Sequence, residues 1–125
     1  MYQNGIMETP DSIDWHCFQI LAYEFEADDV AEAERKIKAM FRRKKLGIYD
    51  QTKVDRLRQL KNQLQKEIGL FGKSQYYRGP KSTTAGFEDF DIDRMVADYQ
   101  PRYAEFSGKD MVAMVSFAVY AYYLR

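Results

Sequence analysis

Apolar residues repeat at helical spacing in two stretches near the middle of the chain. In residues 30–46 they share one side of a 3.6-residue period, and in residues 52–68 a second set forms one continuous stripe. Both stretches predict amphipathic helices, and an antiparallel pairing of the two is the simplest arrangement. The predicted inward-facing residues are Val30, Ala33, Ile37, Met40 and Phe41 in the first stretch and Val54, Leu57, Leu60, Leu64 and Ile68 in the second.

The residues that flank these two stretches are typical of helix ends. Asp28 and Asp29 precede the first, and four consecutive basic residues followed by Gly47 close it, so both ends complement the helix dipole. Thr52 and Asp55 have the spacing of a capping box at the start of the second. These signals place the helix boundaries near residues 30, 46, 52 and 68.

Three further helices follow from weaker patterns. Thr9 and Pro10 predict a start for a helix over residues 10–25, although the aromatic and branched residues between Trp15 and Phe25 also suit a long strand. Asp91 begins a short helix that ends before Pro101, and residues 107–110 form a capping box that opens a final helix. Residues 69–90 have no regular period and predict a long central loop.

The predicted fold class is therefore mainly α. We expect a single compact helical bundle of about five helices, with residues 1–125 forming one helical domain and residues 69–90 a loop within it. An α+β fold is the alternative if residues 15–25 form a strand.

The most apolar segment covers residues 111–124, which is 14 residues against the roughly 20 that a membrane-spanning helix needs. It contains three tyrosines, and it has apolar residues around its whole circumference. A helix enclosed by other helices is the better interpretation, so no membrane association is predicted.

The zero net charge arises by cancellation between blocks. Residues 1–34 carry nine acidic and no basic side chains, residues 35–81 carry fifteen basic and three acidic ones, and residues 82–125 carry four basic and seven acidic ones. Such a layout indicates either a basic surface for a polyanionic partner or acidic and basic elements that pack on each other.

Two groups of residues are candidates for partner binding, to a protein or a polyanion. On a helical wheel the basic residues of the 30–46 helix form a stripe beside its apolar side. In the central loop, tyrosines beside cationic residues suit stacking on single-stranded nucleic acid, or else anchor the loop onto the helices. The candidates are Arg35, Lys38, Arg42 and Lys45 in the stripe, and Lys73, Tyr76, Tyr77 and Arg78 in the loop.

No catalytic, metal or cofactor site is predicted. His16 and Cys17 are the only histidine and cysteine, and as neighbours on a helix they would point about 100° apart. Residues 69–74 resemble the end of a phosphate-binding loop but lack its first glycine, where Glu67 stands. Residues 89–93 match the start of an EF-hand loop, but Arg94 replaces the required glycine.

The resulting hypothesis is a small non-enzymatic helical protein that acts by macromolecular binding, as a protein–protein interaction module or regulatory adaptor. The first alternative is an accessory nucleic-acid-binding protein that uses the basic helix face and the loop, and the second is an enzyme that uses carboxylates. Self-association through uncovered apolar helix faces is a further hypothesis. A cytoplasmic setting is expected, since the N-terminus has no secretory signal and there is a single cysteine.

Overall fold

The fold is mainly α, as predicted. The computed structural model describes residues 2–3, 6–7, 10–79 and 89–124, with only the backbone of residues 2–3, 6–7 and 124. Two antiparallel strands of two residues each, β1 (Tyr2–Gln3) and β2 (Ile6–Met7), precede five α-helices. The helices are α1 (Ile13–Leu21), α2 (Ala27–Lys44), α3 (Gln51–Ile68), α4 (Ile92–Tyr99) and α5 (Gly108–Leu124).

Residues 13–21 form helix α1, so the strand alternative for residues 15–25 is wrong, and the helix ends four residues before its predicted end at residue 25. Its start differs from the prediction, because the Ser12 hydroxyl accepts a hydrogen bond from the Trp15 N–H at 3.0 Å and so caps the helix. The Ser12 hydroxyl also donates to Asp110 at 2.9 Å, which ties this start to the first turn of α5. Thr9, the predicted cap, lies outside the described residues.

Helix α2 begins three residues earlier than predicted. The prediction placed Asp29 before the helix, whereas Asp29 lies in its first turn and caps the helix from there. One Asp29 carboxylate oxygen accepts from the backbone N–H groups of Phe25 and Glu26, each at 3.0 Å. At the other end the backbone of Lys45 is left-handed, with φ 52°, and its N–H donates to the Phe41 carbonyl. This conformation closes the helix two residues before Gly47.

The starts of α3, α4 and α5 also use side-chain caps. Asp50 accepts from the Lys53 N–H at 3.2 Å, where the prediction had Thr52 as the cap, and Asp91 accepts from the Arg94 N–H at 3.1 Å, as predicted. Ser107 accepts from the Asp110 N–H at 3.0 Å, which confirms the start of the last helix. Pro101 interrupts the α-helical pattern as expected, and residues Gln100–Tyr103 form a 3₁₀ turn.

All five helices contribute to one hydrophobic core. The predicted stripe of α3 is buried along its whole length, and α5 contributes buried residues from most of its circumference. On α2 the inward side consists of Ala33, Ile37, Met40 and Phe41, whereas Val30 is exposed, contrary to the prediction. The other large core residues include Trp15 and Phe18 from α1 and Met95 from α4.

The closest backbone approaches place α1 between its neighbours. Helix α1 lies against α2, α3 and α5, while α5 lies against α3 and α4. The predicted pairing of α2 with α3 is thus not the main contact of either helix. Hydrogen bonds from Gln51 and Arg58 of α3 to Glu34 of α2 connect the two helices.

Part of the central loop has local structure. Residues Phe71–Lys73 form a 3₁₀ turn, and Tyr77 forms an isolated antiparallel bridge with Phe90. Residues 80–88 of the predicted loop lie outside the described residues. Across residues 10–79 and 89–124, no helix has both the length and the apolar character needed to cross a membrane.

The α3 stripe gives a direct test of the core. Leu60 is fully buried, so Leu60→Ala should lower the free energy of unfolding by about 2–5 kcal/mol, measured by urea denaturation. The matched variant Lys66→Ala, at an exposed position of the same helix, should change it by less than about 0.5 kcal/mol. Equal effects of the two substitutions would contradict the packing described here.

Candidate functional site

A buried ionic cluster fixes the connection between α1 and α2 onto α3. Glu24 lies in this connection and is only 2% exposed. Its carboxylate accepts hydrogen bonds from the Arg58 guanidinium at 2.8–3.1 Å, and the Lys61 ammonium lies 3.0 Å from the same carboxylate. Burial lowers the pKa of Lys61, and the contact with Glu24 opposes this effect. One carboxylate therefore faces two cations.

A chain of hydrogen bonds runs from this cluster towards the end of α2. The Arg58 guanidinium also donates to Glu34 on α2, at 3.2 Å. The Gln51 amide donates to Glu34 at 2.9 Å, and its oxygen accepts from the Tyr49 hydroxyl at 3.0 Å. These two donors to Glu34, Gln51 first and Arg58 second, hold the pKa of its carboxyl below the ordinary value. Tyr49 is thus anchored through Gln51 and Glu34 to the buried cluster.

Tyr49 lines a small groove at the C-terminal end of α2, which we call the tip groove. Its ring packs edge-on against Phe41, with 5.7 Å between ring centroids, and the Lys38 ammonium lies 5.2 Å from the ring centre. The groove has a volume of about 320 Å³ and is lined by Lys38, Phe41, Arg42, Gly47 and Tyr49. It combines an aromatic wall with two cationic side chains.

Beside the tip groove lies a surface that we call the basic tip, formed by Arg42, Arg43, Lys44, Lys45 and Ile48. Its four basic side chains are exposed, and none forms an ion pair within the described part of the chain. Ile48 is 95% exposed. The basic tip therefore combines four cations without an ion pair in the described residues and one exposed apolar side chain within a seven-residue segment.

A second groove, which we call the acidic groove, lies at the opposite end of α2. It has a volume of about 670 Å³, and Phe25 and Tyr122 give it an aromatic wall, with ring centroids 5.9 Å apart. The remaining lining residues are Glu26, Asp29, Asn62, Gln65 and Lys66. The backbone hydrogen bonds from Phe25 and Glu26 lower the pKa of Asp29, so it stays ionised at neutral pH.

The predicted basic stripe is only partly assembled into this site. Lys38 and Arg42 line the tip groove, and Lys45 belongs to the basic tip. Arg35 lies farther up α2, where its guanidinium pairs with Glu32 at 2.6 Å. Its charge is compensated locally, so Arg35 is not part of the candidate site.

The loop candidates lie in a different environment. Tyr76 is 1% exposed, its hydroxyl donates to Asp98 at 2.7 Å, and burial raises its pKa to about 12. This ring holds the loop against α4 and is not accessible for stacking on a base. Tyr77 is half-buried with its ring 5.9 Å from Phe90, while Lys73 and Arg78 are exposed. We therefore leave these four residues out of the site.

Sequence reasoning missed Ile48, Tyr49 and the acidic groove. The signal for the first two was available, since Gly47 is followed by two large apolar residues in a segment too short for another helix. The acidic groove had no such signal, because its walls come from the α1–α2 connection, α3 and α5.

The remaining chemistry-bearing residues do not form a reactive pair. Cys17 is buried, and burial raises the pKa of its thiol to about 12, so it stays protonated at neutral pH. His16 lies 3.4 Å from Asp11 at the surface. Within residues 10–79 and 89–124, no three His, Cys, Asp or Glu side chains are grouped to hold a metal ion.

Comparison with protein-family models, curated proteins and solved structures gives no match for this chain.

The buried cluster predicts a large effect of removing its central charge. Glu24→Gln removes the buried carboxylate that Arg58 and Lys61 share. The free energy of unfolding should therefore fall by about 3–5 kcal/mol in urea denaturation. The matched variant Glu32→Gln, which breaks an exposed ion pair with Arg35, should cost less than about 1 kcal/mol. A loss as small as that of Glu32→Gln would show that the cluster does not hold the fold together.

Glu34 predicts a specific pH dependence. Because folding lowers the pKa of its carboxyl, the carboxylate contributes stability above its ordinary pKa of 4.5, and this contribution is lost as the pH falls through the folded-state value. The difference in free energy of unfolding between wild type and Glu34→Gln should therefore be largest near neutral pH and shrink in acid. Urea denaturation across a pH series measures it, and a constant difference would contradict the assignment.

Proposed function

We propose that this protein is a non-enzymatic interaction module that binds an acidic segment of a protein through the basic tip and the tip groove. The partner segment would place carboxylates on the four cations and an apolar side chain beside Ile48 and Tyr49. The observation that carries this proposal is a 95% exposed isoleucine three residues after a run of four exposed cations that have no ion-pair partner in the described residues.

Both parts of this surface favour association. Covering the exposed Ile48 side chain with a partner removes apolar surface from water, and this contributes favourable free energy to binding. Four neighbouring cations raise the local electrostatic potential, so an acidic partner is attracted before contact and oriented on arrival. The tip groove is also held in shape, because Tyr49 is fixed through Gln51 and Glu34. A preformed groove lowers the entropic cost of binding.

The same surface is less suited to nucleic acid. Sequence-tolerant binding of single strands needs aromatic faces on which bases can stack. At the tip, Tyr49 packs against Phe41 and lies near the Lys38 ammonium, and Tyr76 of the loop is buried. The outermost apolar group is Ile48, an aliphatic side chain that offers no stacking plane. An apolar side chain of a protein partner can pack against Ile48, whereas a nucleic-acid base cannot stack on it.

At neutral pH Cys17 is a poor nucleophile, because its thiol is buried and protonated.

The proposal is tested with a fluorescein-labelled synthetic peptide in which acidic residues flank a Leu-Phe pair, by fluorescence anisotropy at low salt. Arg42→Gln combined with Lys45→Gln should weaken binding about tenfold, because two charge contacts of up to about 1 kcal/mol each are lost. Ile48→Ser should also weaken binding by about tenfold, although it changes no charge. Arg42, Lys45 and Ile48 are all exposed, so these substitutions should not affect folding.

The matched control is Lys36→Gln combined with Lys73→Gln, which removes the same charge from exposed positions outside the tip and the acidic groove. It should leave the affinity within about twofold after correction for net charge. Binding that falls with salt but ignores Ile48→Ser would show mere polyelectrolyte attraction. Tighter binding of a single-stranded oligonucleotide at the same salt would favour the nucleic-acid function instead, and no binding of the peptide would refute the proposal.

A further inference from the structure

The two ends of α2 carry complementary surfaces. At its C-terminal end, the basic tip presents four exposed cations and the exposed Ile48. At its N-terminal end, the acidic groove presents the carboxylates of Glu26 and Asp29 beside an aromatic wall. Asp28, exposed in the first turn of the helix, adds a third negative charge close to this groove.

We propose that the basic tip of one copy of this chain binds the acidic groove of a second copy. This inference rests on the proposed function, and it names the acidic partner as the protein itself. Ile48 of one copy would pack against Phe25 and Tyr122 of the next, while Arg42 and its neighbours face Glu26 and Asp28. The groove volume of about 670 Å³ is ample for an isoleucine side chain and the flanking backbone.

The two surfaces occupy different ends of one helix. Arg42 and Asp29 are 13 positions apart, which corresponds to roughly 20 Å along the helix axis, so the two surfaces do not overlap. One copy can therefore donate its tip and accept another tip at once. Reciprocal exchange between two copies would produce a two-fold dimer, and head-to-tail contacts would produce closed rings or open chains of subunits.

Lys66 allows a test in which a surface substitution should strengthen self-association. Among the described residues that line the acidic groove it is the one cation, and it would repel an incoming basic tip. Lys66→Glu should therefore strengthen self-association, by about tenfold in the dissociation constant, although most surface substitutions weaken an interface. Lys36→Glu makes the same charge change on an exposed part of α2 outside both surfaces and should have a much smaller effect.

The experiment is sedimentation velocity of the full chain over a concentration series at low and high salt. The average mass of the wild type should rise with concentration at low salt and fall towards the monomer at high salt. Ile48→Glu, which places a negative charge at the tip, and Asn62→Lys, which places a positive charge in the groove, should each be monomeric. Both residues are exposed, and circular dichroism checks that the variants remain folded.

Mixing these two variants provides the decisive comparison. Each variant alone lacks one of the two surfaces, whereas in the mixture the unchanged tip of Asn62→Lys can bind the unchanged groove of Ile48→Glu. The equimolar mixture should therefore associate where neither component does. Association that ignores both substitutions, or a mixture that stays monomeric, would overturn the inference.

The peptide experiment separates this failure from that of the proposed function. A wild type that is monomeric throughout but still binds the acidic peptide through Ile48 would refute self-association and leave the interaction module intact. A wild type that neither associates nor binds the peptide would refute both.

Discussion

The structure depends on the compensation of one buried carboxylate. Glu24 is placed in a connection between helices, where a polar residue would ordinarily remain in water, and its burial is tolerated because Arg58 and Lys61 both reach it from α3. The Gln65 amide and the Lys61 ammonium also donate to the Glu24 backbone carbonyl, at 2.9 and 3.2 Å. A buried charge with this many partners has one low-energy position, so the cluster sets where α2 begins relative to α3.

The buried cluster around Glu24 is also linked to Tyr49 in the tip groove. Since Arg58 also binds Glu34, and Glu34 binds Gln51, the position of Tyr49 follows from the same cluster. Polar side chains thus connect α2 to α3, and α1 lies against both helices. Helix α2 is exposed along much of its length and still presents a defined groove at its end.

The charge blocks of the chain have two separate outcomes in the fold. Part of the acidic first block neutralises part of the basic second block internally, as Glu24 and Glu34 do with Arg58, and Glu32 does with Arg35. Another part is left at the ends of α2, with acids at the N-terminus and bases at the C-terminus. The helix dipole favours this distribution, so the charges that stabilise the helix are the ones left for a partner.

Local sequence determined the helices, since the stripe from Val54 to Ile68 and the caps at Asp91 and Ser107 depend on neighbouring residues alone. It also indicated Lys38, Arg42 and Lys45, because a helical wheel orders residues within one helix. Only the tertiary structure decided that Val30 is exposed, that Tyr76 is buried, that Arg35 is neutralised and that Ile48 projects from the surface. Burial and charge compensation depend on residues distant in the chain, such as Glu24 and Arg58, and helical periodicity contains no information about which helices will meet.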